Sequence, residues 1–209
     1  MIHYELFKML YPNWFKGACE KNFESNLVKD SGKPSLNFLQ LGVFTGDASV
    51  WMLENVLSHS SSKLTDVDTW KGSQEESHQK MDFENVYEVY FEKVSKYANK
   101  IKIIQSTTTD FLISCHLVDH HLRKEFDFIY IDADHTTVGT LLDAELSWSF
   151  LKQGGVLAFD DYQWKHPSND PRLEPKAGID LFLHRHSGNY ELLVSNWQLW
   201  IRKNEGILY

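Results

Sequence analysis

Five short apolar runs, Leu36–Val43, Leu64–Asp68, Ile101–Ile104, Phe126–Ile131 and Val156–Phe159, are each bounded by turn residues, and helix-patterned stretches separate them. Strands that alternate with helices need crossover connections, so the five runs are expected to pair in parallel, with helices on both faces. The spacing thus predicts an α/β chain with a doubly wound, mostly parallel sheet. In such sheets ligands bind beyond the carboxyl ends of the strands, and those ends are where this sequence concentrates its glycines and acids.

Between the strands the pattern predicts helices over 48–57, 109–122, 138–151 and 179–186, the third closed by Gly154 and Gly155. Residues 1–34, broken by Pro12, read as a helical cap. A polar loop over 71–82 precedes apolar positions at helical spacing, Phe83, Val86, Tyr87, Tyr90, Phe91, Val94 and Tyr97, which makes 71–97 a candidate lid. Tyr190–Ser195 and Gln198–Lys203 read as two closing strands. At 209 residues the chain is read as a single domain.

Charge narrows the partners. Against 29 acidic residues there are 21 Lys and Arg, a formal charge of −8, and no dense basic cluster, so phosphate backbones and anionic lipid are repelled. Neither nucleic acid nor membrane is an expected partner. The amino terminus lacks the layout of a signal peptide, and Cys19 and Cys115 have no metal-ligand spacing, so a reduced, cytoplasmic setting is expected. A homodimer is compatible with the sequence.

The first strand ends in Gly42, Phe44, Thr45 and Gly46. Glycine lets backbone turn tightly and lie against a ligand, although G-x-x-x-G is equally an ordinary strand-to-helix turn. Asp68, at the end of the second strand, is placed to accept hydrogen bonds from ribose hydroxyls or to serve as a turn residue. Ser106 and Thr107, at the third strand end, are candidate adenine contacts or caps of the next helix.

The fourth and fifth strands end in Asp132, Ala133, Asp134, His135 and in Asp160, Asp161, Tyr162. Parallel neighbours lie about 4.8 Å apart, so these acids converge, and carboxylates that close need a proton or a cation between them. Oxygen donors without a thiolate point to Mg²⁺ or a similar hard ion. Capping, or pairing with Lys165, Arg172 or Lys176, is the structural alternative. His135 is a candidate proton acceptor beside that ion. His120, His121, His184 and His186 lack matched acids and read as solvated.

FLQLGVFTG, DTWKGS, IYIDADH and GGVLAFDDY, in this order, resemble the motifs of class I S-adenosylmethionine-dependent methyltransferases, and most of all small metal-dependent O-methyltransferases of the macrocin, caffeoyl-CoA and catechol type. The resemblance covers about residues 36–203. It implies a Rossmann-like sheet with a carboxyl-terminal antiparallel hairpin, S-adenosylmethionine and a divalent cation as cofactors, and a small hydroxylated acceptor. By the same resemblance Gly42, Phe44, Gly46 and Asp68 would border the cofactor, and Asp132, Asp160 and Asp161 would hold the ion; Ser106 and Thr107, from their strand-end position, and Asp132 are further candidate cofactor contacts. His135 and Asp132 are the alternative candidates for the catalytic base. Two positions depart from the family pattern. Gln40 stands where many members carry an acid that orients the methionine amino group, and His135 stands where the catechol enzymes carry a lysine. The rival readings are a nucleotide-binding oxidoreductase, disfavoured by the missing third glycine, and a module that binds cofactor or metabolite without turnover.

Overall fold

Strand β1 (Asn37–Leu41) lies in the middle of the sheet, hydrogen-bonded on one side to β2 (Lys63–Asp68) and on the other to β4 (Phe126–Ile131). The computed structural model describes residues 11–73, 81–118 and 125–205. From β1 the chain winds outward through β2 to β3 (Ile101–Gln105), then crosses back to β4 and on to β5 (Leu151–Phe159), all in parallel. The last two strands, β6 (Tyr190–Ser195) and β7 (Leu199–Lys203), are antiparallel, and β7 inserts between β5 and β6. The order β3-β2-β1-β4-β5-β7-β6 puts the change of winding direction between β1 and β4, where such sheets bind their ligands.

Central strands buried on both faces should be mostly apolar, and β1 and β4 are: Phe38, Leu39, Leu41, Phe128, Ile129, Tyr130 and Ile131 are all buried, with Gln40 the buried polar exception in β1. Helix α1 (Ala18–Leu27) supplies the cap expected near the amino terminus, and its Phe23 ring wedges among Trp51, Phe128, Tyr130 and Trp200 at centroid distances of 5.0–5.6 Å. Edge-to-face packing of this kind suits the aromatic quadrupole and fastens the cap to the sheet. Residues 1–10 of the expected cap lie outside the described residues, as do His120 and His121.

Helices α2 (Asp47–Asn55), α3 (Val86–Val94), α4 (Thr108–Val118), α5 (Thr137–Trp148) and α6 (Pro175–Arg185) occupy the crossovers and the final connection. One expected boundary is wrong. Gly154 and Gly155 do not close a helix, because α5 ends at Trp148 and both glycines lie inside β5. Gly154 has φ +75°, and the register against β4 shifts between Phe126 and Phe128, the signature of a bulge in which a residue without Cβ takes the bend. His186 is also not solvated. Its Nε2 lies 3.0 Å from Glu145, and its ring packs on Phe182 and Trp148.

Among the described residues no helix is long and apolar enough to cross a membrane.

Candidate active site

The glycine loop is fixed from two sides. Gly42 adopts φ +84°, and a Cβ there would lie 1.8 Å from the carbonyl oxygen of Asp132, so only glycine lets the tip of β1 meet the tip of β4. Phe44 and its neighbour Val43 donate their backbone N–H groups to Asp68 Oδ2 at 2.9 and 2.7 Å, while Trp70 N donates to Oδ1 at 2.7 Å. One carboxylate therefore accepts three amides. These bonds hold Phe44 at φ +52°, a left-handed conformation that costs an L-residue about 1–2 kcal/mol. Trp70 Nε1 adds a bond to the Phe44 carbonyl at 3.0 Å. Gly46, at φ +77°, faces Tyr90 of α3, whose ring would lie 2.7 Å from an added Cβ, so α3 lies directly on the loop.

Gln40 is spent inside this scaffold. Its amide donates to the Gly42 carbonyl at 2.9 Å and accepts from Ser49 at 3.0 Å, and the residue is 1 % exposed. Thr107 accepts from Asp110 N at 3.1 Å and so caps α4, as its alternative reading had it. Ser106 N donates to the Asp68 carbonyl at 2.9 Å, which places it beside the acid.

The four acids at the tips of β4 and β5 separate into distinct environments. His135 Nε2 lies 3.2 Å from Asp161 Oδ2 and 3.6 Å from Asp132 Oδ1. One donor atom from each of Asp132, His135 and Asp161 fits within a mutual distance of 4.8 Å. Asp161 reaches this position with φ +54°, its carbonyl accepting from Trp164 N at 2.9 Å, and the Trp164 ring lies 5.4 Å from His135. Asp134 Oδ1 instead accepts from Thr136 N at 2.8 Å, and its carbonyl accepts from Thr140 at 2.8 Å, at the start of α5.

Asp160, expected among the metal ligands, is engaged elsewhere. It accepts from the Tyr130 hydroxyl, and its Oδ1 accepts from Asp161 N at 2.8 Å. Cys19 Sγ lies 3.6 Å from both of its oxygens. Burial, and then the charge of Asp132, raise the Asp160 carboxyl above the usual range, while the Tyr130 hydroxyl opposes them. The Cys19 thiol is pushed far up, by burial first and by Asp160 second, so burial and the neighbouring acids favour its protonated form. Lys165, Arg172 and Lys176 pair with Glu174, Asp170 and Asp180, so none of them neutralises the strand-tip acids by those ion pairs.

The donor set suits a divalent cation. Two carboxylates that repel each other share one small volume with an imidazole nitrogen. With nitrogen in the set, Mn²⁺, Fe²⁺ or Zn²⁺ fits as well as Mg²⁺. The sequence reading missed Tyr130 and Gln198, which stand behind the cluster. Tyr130 looks like core filler in an apolar run, but its two-residue spacing from Asp132 puts both on one strand face.

A doubly wound sheet with an inserted antiparallel strand, a glycine loop at β1 and an acid at β2 define a class I S-adenosylmethionine-dependent methyltransferase. Residues 39–162 match the family model described as "Methyltransferase domain", and the chain belongs to that family. An uncharacterized protein of Acanthamoeba polyphaga mimivirus is 23% identical over 167 residues, covering 78% of this chain and 69% of that one. Among solved structures, the O-methyltransferase from Bacillus cereus in complex with SAH superposes with a TM-score of 0.65 at 15% identity, covering 97% of this chain and 88% of that one. SAH-bound methyltransferase PaMTH1 of Podospora anserina gives 0.64 at 15% identity, covering 98% and 87%.

Proposed function

We propose that this methyltransferase is a divalent-metal-assisted O-methyltransferase, moving the methyl group of S-adenosylmethionine to a hydroxyl of a small metabolite. The observation that carries this reading is the Asp132, His135 and Asp161 cluster, held against the glycine loop by the contact between Gly42 and Asp132. The SAH-bound neighbours, one of them an O-methyltransferase, support the same cofactor and reaction class. The net charge of −8 favours a small acceptor over nucleic acid.

Methyl transfer is an in-line displacement: the acceptor oxygen forms a bond to the methyl carbon as the carbon–sulfur bond breaks, and the hydroxyl proton leaves. A bound divalent cation would orient the acceptor oxygen and lower its pKa. The chain itself supplies the rest. The loop held by Asp68 would position the sulfonium donor, α3 packed on Gly46 would help to keep water from it, and Trp164 beside His135 would wall the acceptor side. Asp132, which has a second oxygen besides the one offered to the ion, would take the proton, since the His135 Nε2 that faces Asp132 and Asp161 would be committed to the ion.

The test is methyl transfer from labelled S-adenosylmethionine to a panel of catechols, sugars and other polyols, after EDTA treatment and after restoring Mg²⁺ or Mn²⁺. Labelled methyl ether that disappears with EDTA and returns with metal is expected. Undiminished transfer in EDTA would remove the metal from the reading, and transfer to nitrogen or carbon alone would remove the hydroxyl.

A further inference from the structure

Tyr130 is 1 % exposed, and phenylalanine would pack equally well against Phe23 and Phe128. A buried hydroxyl is costly unless it is hydrogen-bonded, so the reason for this one lies in its partners. It donates to Asp160 Oδ2 and approaches Asp132 Oδ2 at 3.4 Å, linking the tips of β4 and β5. From behind, Gln198 Nε2 donates to the Tyr130 oxygen at 3.4 Å. Gln198 is itself fixed, since its Oε1 accepts from Asn22 at 2.9 Å and from Trp200 Nε1 at 3.0 Å. Its backbone N–H donates to Asn196 Oδ1 at 3.0 Å, and Asn196 exchanges amide bonds with Asn22 at 3.1 and 3.2 Å.

A polar chain, buried at Asn22, Gln198 and Tyr130, thus runs from α1 and the β6–β7 turn to the strand tips. At its end Asp160 Oδ1 accepts the N–H of Asp161, whose left-handed backbone at φ +54° is the conformation that meets His135 at 3.2 Å. Such backbone persists where surrounding bonds over-determine it.

We propose that Tyr130, backed by Gln198, is a positioning residue for the Asp132, His135 and Asp161 cluster, holding Asp160 so that Asp160 in turn fixes the orientation of Asp161. This rests on the metal-binding reading above. Partners that orient metal ligands from behind typically change metal affinity about 10–100-fold when removed.

The experiment is titration of the full chain with Mn²⁺, followed by calorimetry and by loss of the free-ion paramagnetic resonance signal, with S-adenosylhomocysteine titrated in parallel. Tyr130→Phe removes one oxygen and leaves no cavity. It is expected to weaken Mn²⁺ about 10-fold or more while leaving S-adenosylhomocysteine affinity and the melting temperature near wild type. Gln198→Met, which breaks the chain one step back, is expected to show a smaller loss of the same kind. Wild-type Mn²⁺ affinity in Tyr130→Phe would overturn the positioning role and leave the metal cluster standing. Parallel loss of Mn²⁺, S-adenosylhomocysteine and thermal stability would overturn it in favour of a purely structural network. Wild-type protein that takes up no Mn²⁺ would overturn the metal reading and this proposal with it.

Discussion

Tyr90 reaches from α3 to donate a 3.0 Å hydrogen bond to Asp66, a fully buried acid of β2 that lies two residues before Asp68. Burial pushes the Asp66 carboxyl up to about 7, with the charge of Asp68 adding to it and the hydroxyls of Ser49 and Tyr90 opposing it. The folded state therefore holds a proton that the unfolded chain releases near its ordinary value of 3.8. Stability is greatest below that value, falls as pH rises through this interval, and levels off above about 7. Asp143, raised to about 7 by burial, acts with the same sign. In urea unfolding between pH 5 and 8, wild type is expected to lose stability on the order of 5 kcal/mol across these two groups. Asp66→Asn should flatten part of that slope, and an unchanged slope would contradict the assignment.

Gly42 and Gly188 form an internal control. Their φ angles are +84° and +85°, but an added Cβ at Gly188 meets nothing within 4 Å, whereas at Gly42 it strikes the Asp132 carbonyl. Gly188→Ala is expected to cost about 1 kcal/mol from backbone strain alone. Gly42→Ala should cost on the order of 3 kcal/mol or more and abolish S-adenosylhomocysteine binding, as measured by denaturant unfolding and calorimetry.

Asp68→Ala leaves the N–H groups of Val43, Phe44 and Trp70 without their acceptor. The expected result is a stability loss of about 2–4 kcal/mol with S-adenosylhomocysteine affinity down about 100-fold, an effect of about 3 kcal/mol. Asp68→Asn keeps an oxygen acceptor and should fall between this variant and wild type in both measurements.

The strand-tip acids are expected to divide by function. Asp132→Asn and Asp161→Asn should each weaken Mn²⁺ binding at least about tenfold, because each replaces a charged carboxylate of the three-residue cluster with a neutral amide. Asp134→Ala should leave Mn²⁺ affinity unchanged and lower the melting temperature, because its carboxylate serves the start of α5. Equal effects at all three positions would contradict this division.

The parallel sheet was legible because buried parallel strands are continuously apolar and their connections carry a helical period. Gly154 and Gly155 misled the boundary of α5, since a glycine pair after an apolar helix reads as a cap and here takes up a strand bulge. At the site, Asp132, His135 and Asp161 were legible as neighbours from the spacing of adjacent strands. The engagement of Asp160 with Tyr130 and Cys19 was not, because Cys19 lies 141 positions away and only the packing of α1 on the sheet brings it there. Asp68 was read as a ribose contact or a turn residue; that its oxygens also accept three loop amides was not legible, because that bond pattern is set by the left-handed turn at Phe44. Gln198 carried no signal in sequence, since its partners Asn22 and Tyr130 come from distant elements.

The most direct test is anomalous diffraction from crystals of the protein grown with S-adenosylhomocysteine and soaked in Mn²⁺. A single manganese peak bounded by the carboxylates of Asp132 and Asp161 and the imidazole of His135, on the glycine-loop side of β4, is the result this account requires. Bound S-adenosylhomocysteine with no peak among those three residues, or a peak elsewhere only, would contradict it.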